Sequence, residues 1–190
     1  MPISDKLILY GFQREYLHMK AFPGKNSNHT QLLVHPFPPT WDEQSEILIL
    51  GSFPSVKSRE MAFYYGHPQN RFWHLMTAIF EDEFPKTTEE RRAFLLRHHI
   101  ALWDVIASCH IVGSSDSSIR HAIANDIRPI LSGAAIRGIY TNGQKAHGLY
   151  QKYILPQTGR EDVCLPSTSP ANAAWTLERL TEAWAVICSR

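Results

Sequence analysis

Four apolar residues in succession, at positions 47–50, are followed at once by Gly51. A run this short is typical of a β-strand, and it lacks the alternation of apolar and polar residues that a half-exposed strand shows. Strands that are buried on both faces occur mainly in parallel sheets that carry helices on each side. The run therefore predicts a central parallel sheet covered by helices on both faces.

The rest of the chain alternates between strand-like and helix-like patterns. Further strands are predicted over residues 100–106, 136–141 and 162–165. Helices are predicted over residues 70–80, 87–97, 117–132, 144–153 and 173–187. This alternation predicts an α/β sandwich built on a parallel sheet. Because ligands bind beyond the carboxyl ends of such strands, we expect the functional residues in the loops at 51–55, 104–108, 142–143 and 166–172.

A chain of 190 residues is long enough for one domain with a substantial core. Residues 1–34 are mixed in character, with a loop-like stretch at 22–30 that contains Pro, Gly and Asn. We interpret residues 1–34 as an N-terminal extension or an added edge, and residues 35–190 as the domain itself.

Composition limits the chemistry and the location that we expect. Three widely spaced cysteines, Cys109, Cys164 and Cys188, form neither a disulfide framework nor a four-thiolate metal site. The ten histidines show none of the spacings of metal ligands, so we expect no metal and no cofactor. The sequence shows no apolar run of the ~18 residues that a membrane helix needs, and no signal peptide, so a cytoplasmic or nucleoid location is expected.

The net charge of +1 excludes a polycation that binds nucleic acid through a global field. Binding to DNA would instead depend on a local patch and on helix N-termini. Three segments carry residues suited to such binding: "GSFPS" at 51–55, "YYGHPQNRFW" at 64–73 and "LPSTSPANA" at 165–173. Taken singly, each is also compatible with an ordinary capping turn or with packing residues.

Taken together, the segments "ILILGSFPS", "YYGHPQNRFW", "ALWDVIASC" and "LPSTSPANAAW" resemble the deoxyinosine (hypoxanthine) DNA glycosylase family. That family is a branch of the uracil-DNA glycosylase superfamily, and the resemblance covers residues 35–187. The stretch "HPQNRFW" also resembles the mismatch-specific uracil-DNA glycosylases. The resemblance implies a three-layer α/β/α sandwich with a short central parallel sheet, and a monomeric, metal-independent enzyme that acts on DNA containing a deaminated base.

The resemblance also implies a pocket for the flipped base. Gly51, Ser52 and Phe53 match the first motif, in which most relatives carry Asp, Asn or Glu where this chain has Phe53. Tyr65 matches the aromatic residue that stacks on the base. Asp104 matches a base-reading Asn, and we infer that its carboxylate accepts the N1–H of hypoxanthine, although a purely structural carboxylate is the alternative.

Two residues are expected to act in catalysis. Asn70 matches the residue linked to catalysis in the deoxyinosine branch, where it would position water or support the cationic sugar. It also occupies the position of a helix N-cap, and both roles can hold together. Ser167 stands where the superfamily often has a His that stabilises the departing base. Four further residues are candidates for contacts with the DNA backbone: Ser55, Lys57, Ser169 and Asn172.

We therefore expect a monofunctional glycosylase that removes hypoxanthine and leaves an abasic site, since no lysine occupies a position suited to a Schiff base. A broader uracil or mismatch glycosylase is the first alternative, and Phe53 argues against it. A non-catalytic DNA-binding module that recognises lesions is the second. An α/β enzyme acting on a free nucleoside or another small molecule is the third.

Overall fold

The computed structural model describes residues 31–111 and 120–188. The strands are β1 (Gln31–Val34), β2 (Ile47–Gly51), β3 (Ile100–Asp104), β4 (Ile106–Ile111), β5 (Arg120–Ala124), β6 (Gly138–Asn142) and β7 (Val163–Leu165). The helices are α1 (Val56–Met61), α2 (Phe72–Phe80), α3 (Thr88–Arg97), α4 (Arg128–Gly133), α5 (Gln144–Tyr153), α6 (Leu155–Thr158) and α7 (Leu177–Trp184), the last followed by the 3-10 helix Ala185–Cys188.

Four strands form a parallel sheet in the order β3-β2-β6-β7. The register sets Gly51 at the end of β2 opposite Asp104 at the end of β3. Asn142 at the end of β6 stands opposite Leu165 at the end of β7. Because the four strands are parallel, their last residues lie at one edge of the sheet, which we call the carboxyl edge.

Alternate residues of the strands face two separate cores. Ile49 and Leu102 face one core, which is filled by side chains of α2, α3 and α7. Leu48 and Leu50 face the other, which is filled by side chains of α4 and α5 together with β4. Helices thus cover both faces of the parallel sheet, and the three-layer α/β/α sandwich that we predicted is confirmed.

A second sheet, antiparallel and ordered β1-β4-β5, was not predicted. The single strand predicted over residues 100–106 is wrong, because the chain leaves the parallel sheet after Asp104. The amides of Val105 and Ile106 donate to the carbonyls of Gly51 and Ser52, and Ile106 then begins β4.

The helix predicted over residues 117–132 is only partly right. Residues 120–124 form the strand β5, since backbone pairing with β4 overrides the helical preference of the two alanines. The helix begins at Arg128, with Pro129 in its first turn, and residues 117–119 lie outside the described residues. The last helix begins at Leu177 rather than at residue 173, because the side chain of Thr176 caps it.

The N-terminal part of the domain is described only from residue 31. Residues 31–34 form β1, which pairs with β4 at the edge of the second sheet. Residues 1–30 lie outside the described residues, and the boundary at residue 34 stays a prediction. Among the helices that the structure describes, none combines the length and the apolar character needed to cross a bilayer.

Helix α3 offers a test of the local rules that build the fold. Thr87 and Glu90 form a reciprocal capping box at its start, as predicted. We expect Thr87→Ala to lower the free energy of unfolding by ~1 kcal/mol, because the amide of Glu90 loses its acceptor. Urea denaturation measures the loss. Thr88→Ala, one residue further along, is the control; an equal loss in both variants would contradict the capping role.

Candidate active site at the carboxyl edge of the sheet

A chain of hydrogen bonds joins three segments at the carboxyl edge. The side-chain amide nitrogen of Asn142 donates to Thr168 Oγ1 over 2.9 Å. Thr168 Oγ1 in turn donates to Asn70 Oδ1, also over 2.9 Å. The backbone amide of Thr168 donates to Asn142 Oδ1 over 2.9 Å. Thr168 is fully buried, so these bonds are shielded from water. The network fixes the loop after β7 against the end of β6 and against the segment before α2.

The same network fixes the orientation of the Asn70 side chain. Its Oδ1 accepts a second hydrogen bond of 3.0 Å from the backbone amide of Phe72, the first residue of α2. The predicted N-cap position of Asn70 is wrong by one residue, because α2 begins at Phe72 and Arg71 is its N-cap residue. A backbone amide can only donate, so the atom facing it must be the amide oxygen. Both acceptor positions of that oxygen are then used. Among the described residues no partner engages Asn70 Nδ2, which stays accessible as a donor at the carboxyl edge.

Arg71 holds the loop after β7 in place, a role that the sequence did not reveal. Its guanidinium donates to the carbonyl oxygens of Thr168 over 3.3 Å, Ser169 over 2.5 Å and Asn172 over 3.1 Å, and also to that of Trp175. Its backbone amide donates to the Thr168 carbonyl as well. A single cation thus binds four carbonyl oxygens of the same loop.

The loop after β7 is braced internally by the residues expected to contact DNA. The Asn172 amide donates to the Ser167 carbonyl over 2.9 Å, and the Ser169 backbone amide donates to Ser167 Oγ over 3.2 Å. Because Ser167 Oγ accepts here, its own proton is left to donate elsewhere. A Cβ on Gly143, whose φ is +97°, would lie 2.7 Å from the Ser167 Cβ. Ser167 therefore lies directly on the turn that follows β6.

On the other side of the edge, Gly51, Tyr65 and Asp104 converge on one point. A Cβ on Gly51 would lie 2.2 Å from Asp104 Oδ1 and 3.3 Å from the Tyr65 hydroxyl. Asp104 is 5% exposed, and its Oδ2 is hydrogen-bonded over 2.9 Å to Nε2 of the buried His35. Among the described residues Asp104 Oδ1 has no hydrogen-bond partner. Because Gly51 has no Cβ, the Asp104 carboxylate can pack directly against the backbone at the end of β2.

Tyr65 occupies an unusual backbone conformation, with φ at +52°. A non-glycine residue in this region carries strain, and such strain is common at functional sites. Its ring stacks on Phe72 at a centroid distance of 4.0 Å, so one ring face is covered and the ring is only partly exposed.

The Tyr65 hydroxyl is buried and makes no regular hydrogen bond to the described residues. Burial, and secondly the charge of Asp104, raise its pKa well above the ordinary value. The nearby Asn142 side chain acts in the opposite direction without forming a well-aligned bond. The hydroxyl is therefore protonated at neutral pH and offers a donor beside the Asp104 acceptor.

The remaining residues of the first motif lie beside this point. The Phe53 side chain is buried in the core next to β4, with its ring 6.1 Å from that of His35, so it presents no polar group to a water molecule. Ser52 accepts at its carbonyl from the amide of Ile106. Ser55 caps α1 by accepting from the Ser58 amide over 3.2 Å. The roles of these residues in base binding and DNA contact stay predictions.

Lys57 lies on the exposed surface of α1. It forms an ion pair of 2.8 Å with Glu60, and both side chains are 55% exposed. An exposed pair of this kind is weak, so the lysine can exchange its partner for a phosphate. Its contact with DNA stays a prediction.

Two cavities of about 410 and 420 Å³ lie away from the carboxyl edge. One lies at the amino ends of β2 and β6, and the other runs along α5 beside β5. Neither holds a group that converges with those described above, so we identify the site by its converging polar groups rather than by cavity volume. Within residues 31–111 and 120–188, no three His, Cys, Asp or Glu side chains are grouped as metal ligands.

The close approach at Gly51 gives one test of the site geometry. We expect Gly51→Ala to lower the free energy of unfolding by ~1–3 kcal/mol, because the methyl group meets an Asp104 carboxylate that His35 holds in place. Gly148→Ala in α5 is the matched control, since a Cβ there meets nothing within 4 Å. Denaturant unfolding compares them; a Gly51→Ala variant as stable as wild type would contradict the crowding.

The role of Arg71 gives a second test. We expect Arg71→Lys to cost ~2 kcal/mol or more and to expose residues 166–176 to limited proteolysis, because one ammonium group cannot replace the four contacts. Arg179→Lys is the control, since Arg179 is exposed and donates to a single loop carbonyl, that of Ala174. Equal effects of the two substitutions would show that Arg71 does not hold the loop.

Comparisons with known proteins agree on the family. The uracil DNA glycosylase superfamily model matches residues 38–188. The chain is 38% identical to a hypoxanthine DNA glycosylase of Methanosarcina acetivorans, over 80% of this chain and 96% of that protein. It is 36% identical to a hypoxanthine DNA glycosylase of Methanosarcina barkeri, over 78% and 94%. A solution NMR structure from Methanosarcina acetivorans, provisionally described as a uracil DNA glycosylase, superposes with a TM-score of 0.68 at 37% identity, covering 80% of this chain and 94% of that one. This chain therefore belongs to the uracil DNA glycosylase superfamily.

Proposed function

We propose that this protein is a monofunctional DNA glycosylase that removes hypoxanthine from DNA and leaves an abasic site for base excision repair. The observation that carries the proposal is the fixed Asn70 amide, whose donor group faces the same edge as the Gly51, Tyr65 and Asp104 constellation. Sequence identities of 38% and 36% to hypoxanthine DNA glycosylases, over nearly the whole length of those proteins, support it.

The substrate base must leave the duplex before it can reach this edge. Extrusion costs a few kcal/mol and less for a mispaired base, which favours hypoxanthine opposite thymine or cytosine. Tyr65 is our candidate for the residue that stacks on the flipped base, with Phe72 supporting one face of its ring. Ser55, Lys57, Ser169 and Asn172 are our candidates for contacts with the DNA backbone.

Base recognition uses the acceptor on Asp104. The N1–H of hypoxanthine donates to Asp104 Oδ1, which lies against Gly51 and near the Tyr65 hydroxyl. Adenine carries no proton on N1, so its ring nitrogen would face the carboxylate with a lone pair. A buried polar group that is left unpaired costs ~1–3 kcal/mol, and the site therefore discriminates against the normal base.

Bond cleavage places a negative charge on the base and a positive charge on the sugar. Water attacks C1′ of the deoxyribose as the bond to N9 breaks, and the electron pair of that bond leaves with the base. The proton that the water loses ends on the departed base, so the products are neutral hypoxanthine and an abasic sugar with a hydroxyl group on C1′. Donors aimed at the departing base stabilise this transition state. Asn70 Nδ2 and the Ser167 hydroxyl are the donors that we assign. Because Asn70 Oδ1 already accepts two bonds, we assign the leaving base, rather than the cationic sugar, as its target.

The alternatives make different demands on the same residues. Most relatives in the superfamily carry Asp, Asn or Glu in the first motif, whereas this chain has the buried Phe53 ring, which argues against a uracil glycosylase. A non-catalytic lesion-binding module would not depend on the Asn70 donor. We further propose that the protein acts as a monomer, without metal or cofactor, in the cytoplasm at the nucleoid.

The Asn70 donor gives the test of the proposal. Asn70→Asp keeps an oxygen for the Phe72 amide and the Thr168 hydroxyl but removes the NH2 group. We expect an unchanged melting temperature and single-turnover hypoxanthine release slower by about 10²-fold, a loss typical of one transition-state donor. The abasic product is read by alkaline cleavage. Wild-type rates in Asn70→Asp, together with loss of folding in Asn70→Ala, would leave Asn70 only a structural role as the acceptor for the Phe72 amide.

A further inference from the structure

We propose that His35 is a positioning residue that holds Asp104 Oδ1 as a permanent hydrogen-bond acceptor and thereby sets the preference for a base with a proton on N1. This inference rests on the proposed function, because it concerns how the same pocket reads its base. His35 lies outside every motif that the sequence singled out, 69 residues before Asp104.

The geometry of His35 leaves little freedom in its protonation. The residue is 2% exposed, its Nδ1 lies 2.8 Å from the Phe37 carbonyl oxygen, and its Nε2 lies 2.9 Å from Asp104 Oδ2. A carbonyl oxygen can only accept, so Nδ1 must carry a proton. The other ring nitrogen, Nε2, faces Asp104 Oδ2. A proton must lie between these two atoms as well, because without it a lone pair of Nε2 would face a lone pair of Oδ2.

This shared proton decides what the second carboxylate oxygen can do. If the proton resides on Nε2, Asp104 is an ionised carboxylate and Oδ1 accepts. If it resides on Oδ2, the carboxyl group is neutral, yet Oδ1 is its carbonyl oxygen and still accepts. Oδ1 is thus an acceptor in both arrangements. It lies against Gly51 near the Tyr65 hydroxyl and has no hydrogen-bond partner among the described residues, so the dyad presents an acceptor and never a donor to the base.

Aromatic rings keep this arrangement fixed. Phe37, Phe53, Tyr64 and Trp103 surround the imidazole at centroid distances of 4.6, 6.1, 6.3 and 6.4 Å. They shield it from water that could otherwise supply or remove a proton, or rotate the ring. This gives Phe53 a role: where most relatives place a polar residue in the first motif, this chain places a ring that packs against the positioning histidine.

A purely structural role is the competing explanation, because the two bonds of His35 also tie the segment after β1 to β3. The two roles differ in what they predict for base preference. Loss of a structural tie lowers release of every base by the same factor. Loss of positioning lets Asp104 turn or protonate on Oδ1, so the penalty against a base without an N1 proton disappears.

The test compares two variants that each keep one half of the imidazole. His35→Asn places an amide nitrogen near the position of Nδ1, so it keeps the bond to Phe37 and loses the one to Asp104. His35→Gln reaches Asp104 Oδ2 with its amide and loses the bond to Phe37. Single-turnover release is measured from identical duplexes that carry hypoxanthine or unsubstituted purine, which has no proton on N1.

We expect the ratio of hypoxanthine to purine release to stay within about threefold of wild type in His35→Gln and to fall at least about tenfold in His35→Asn. An unchanged ratio in His35→Asn, with both rates lowered alike, would overturn the inference and leave the proposed function standing. A wild-type protein that releases neither base would overturn the proposed function, and this inference with it.

A second arm of the experiment tests the same hydrogen bond by changing Asp104 instead of His35. Its result does not depend on the folding of the His35 variants. In Asp104→Asn, the neutral imidazole keeps Nδ1–H on Phe37 and accepts the new amide at Nε2, which leaves Oδ1 facing the base. We expect the preference for hypoxanthine to persist in Asp104→Asn and to be lost in Asp104→Leu. Loss of the preference in both variants would contradict the orienting role of His35.

Discussion

The buried hydroxyl of Thr168 is the contact on which the site depends. It accepts from Asn142 and donates to Asn70, so one oxygen fixes the relative positions of a strand end, a loop and a helix start. The Asn142 amide nitrogen donates, the Thr168 hydroxyl accepts and donates, and the Asn70 amide oxygen accepts. The amide nitrogen of Asn70 is therefore left as a donor at the end of this chain of hydrogen bonds. Since Thr168 is fully buried, breaking the chain would leave polar groups unpaired at a cost of ~1–3 kcal/mol each. Arg71 adds a second hold on the same loop and keeps the hydroxyl in register.

We propose that the site divides into two halves at the carboxyl edge of the sheet, one that reads the base and one that acts on it as it departs. The reading half consists of Gly51, Tyr65 and Asp104, and it follows from the pairing of β2 with β3, which sets the glycine beside the carboxylate. The half that acts on the departing base consists of Asn70 and Ser167, placed by the Thr168 network and by the turn at Gly143. Recognition and bond cleavage thus depend on different strand ends. This separation explains how the chain dispenses with the usual polar residue of the first motif, whose position the buried Phe53 takes.

Much of this arrangement could be predicted from the sequence, because it depends on local signals. The apolar run before Gly51, the capping box at Thr87 and the order of the motifs gave the sandwich and the edge at which the site lies. The antiparallel sheet was missed because the residues of β5 have a helix-like sequence pattern, and they form a strand only through their pairing with β4. His35 and Arg71 were missed for a similar reason. Their partners lie 69 residues away and 97–104 residues away, so no spacing in the sequence could reveal them.

The most direct measurement is single-turnover base release by the wild-type protein from matched duplexes that differ only in one base: hypoxanthine, uracil, xanthine or adenine. The released base is identified by chromatography, and the abasic strand is scored before and after alkali. We predict release of hypoxanthine over adenine and uracil, with strand cleavage only after alkali. Uracil as the dominant product, or binding of the hypoxanthine duplex without release of any base, would contradict it.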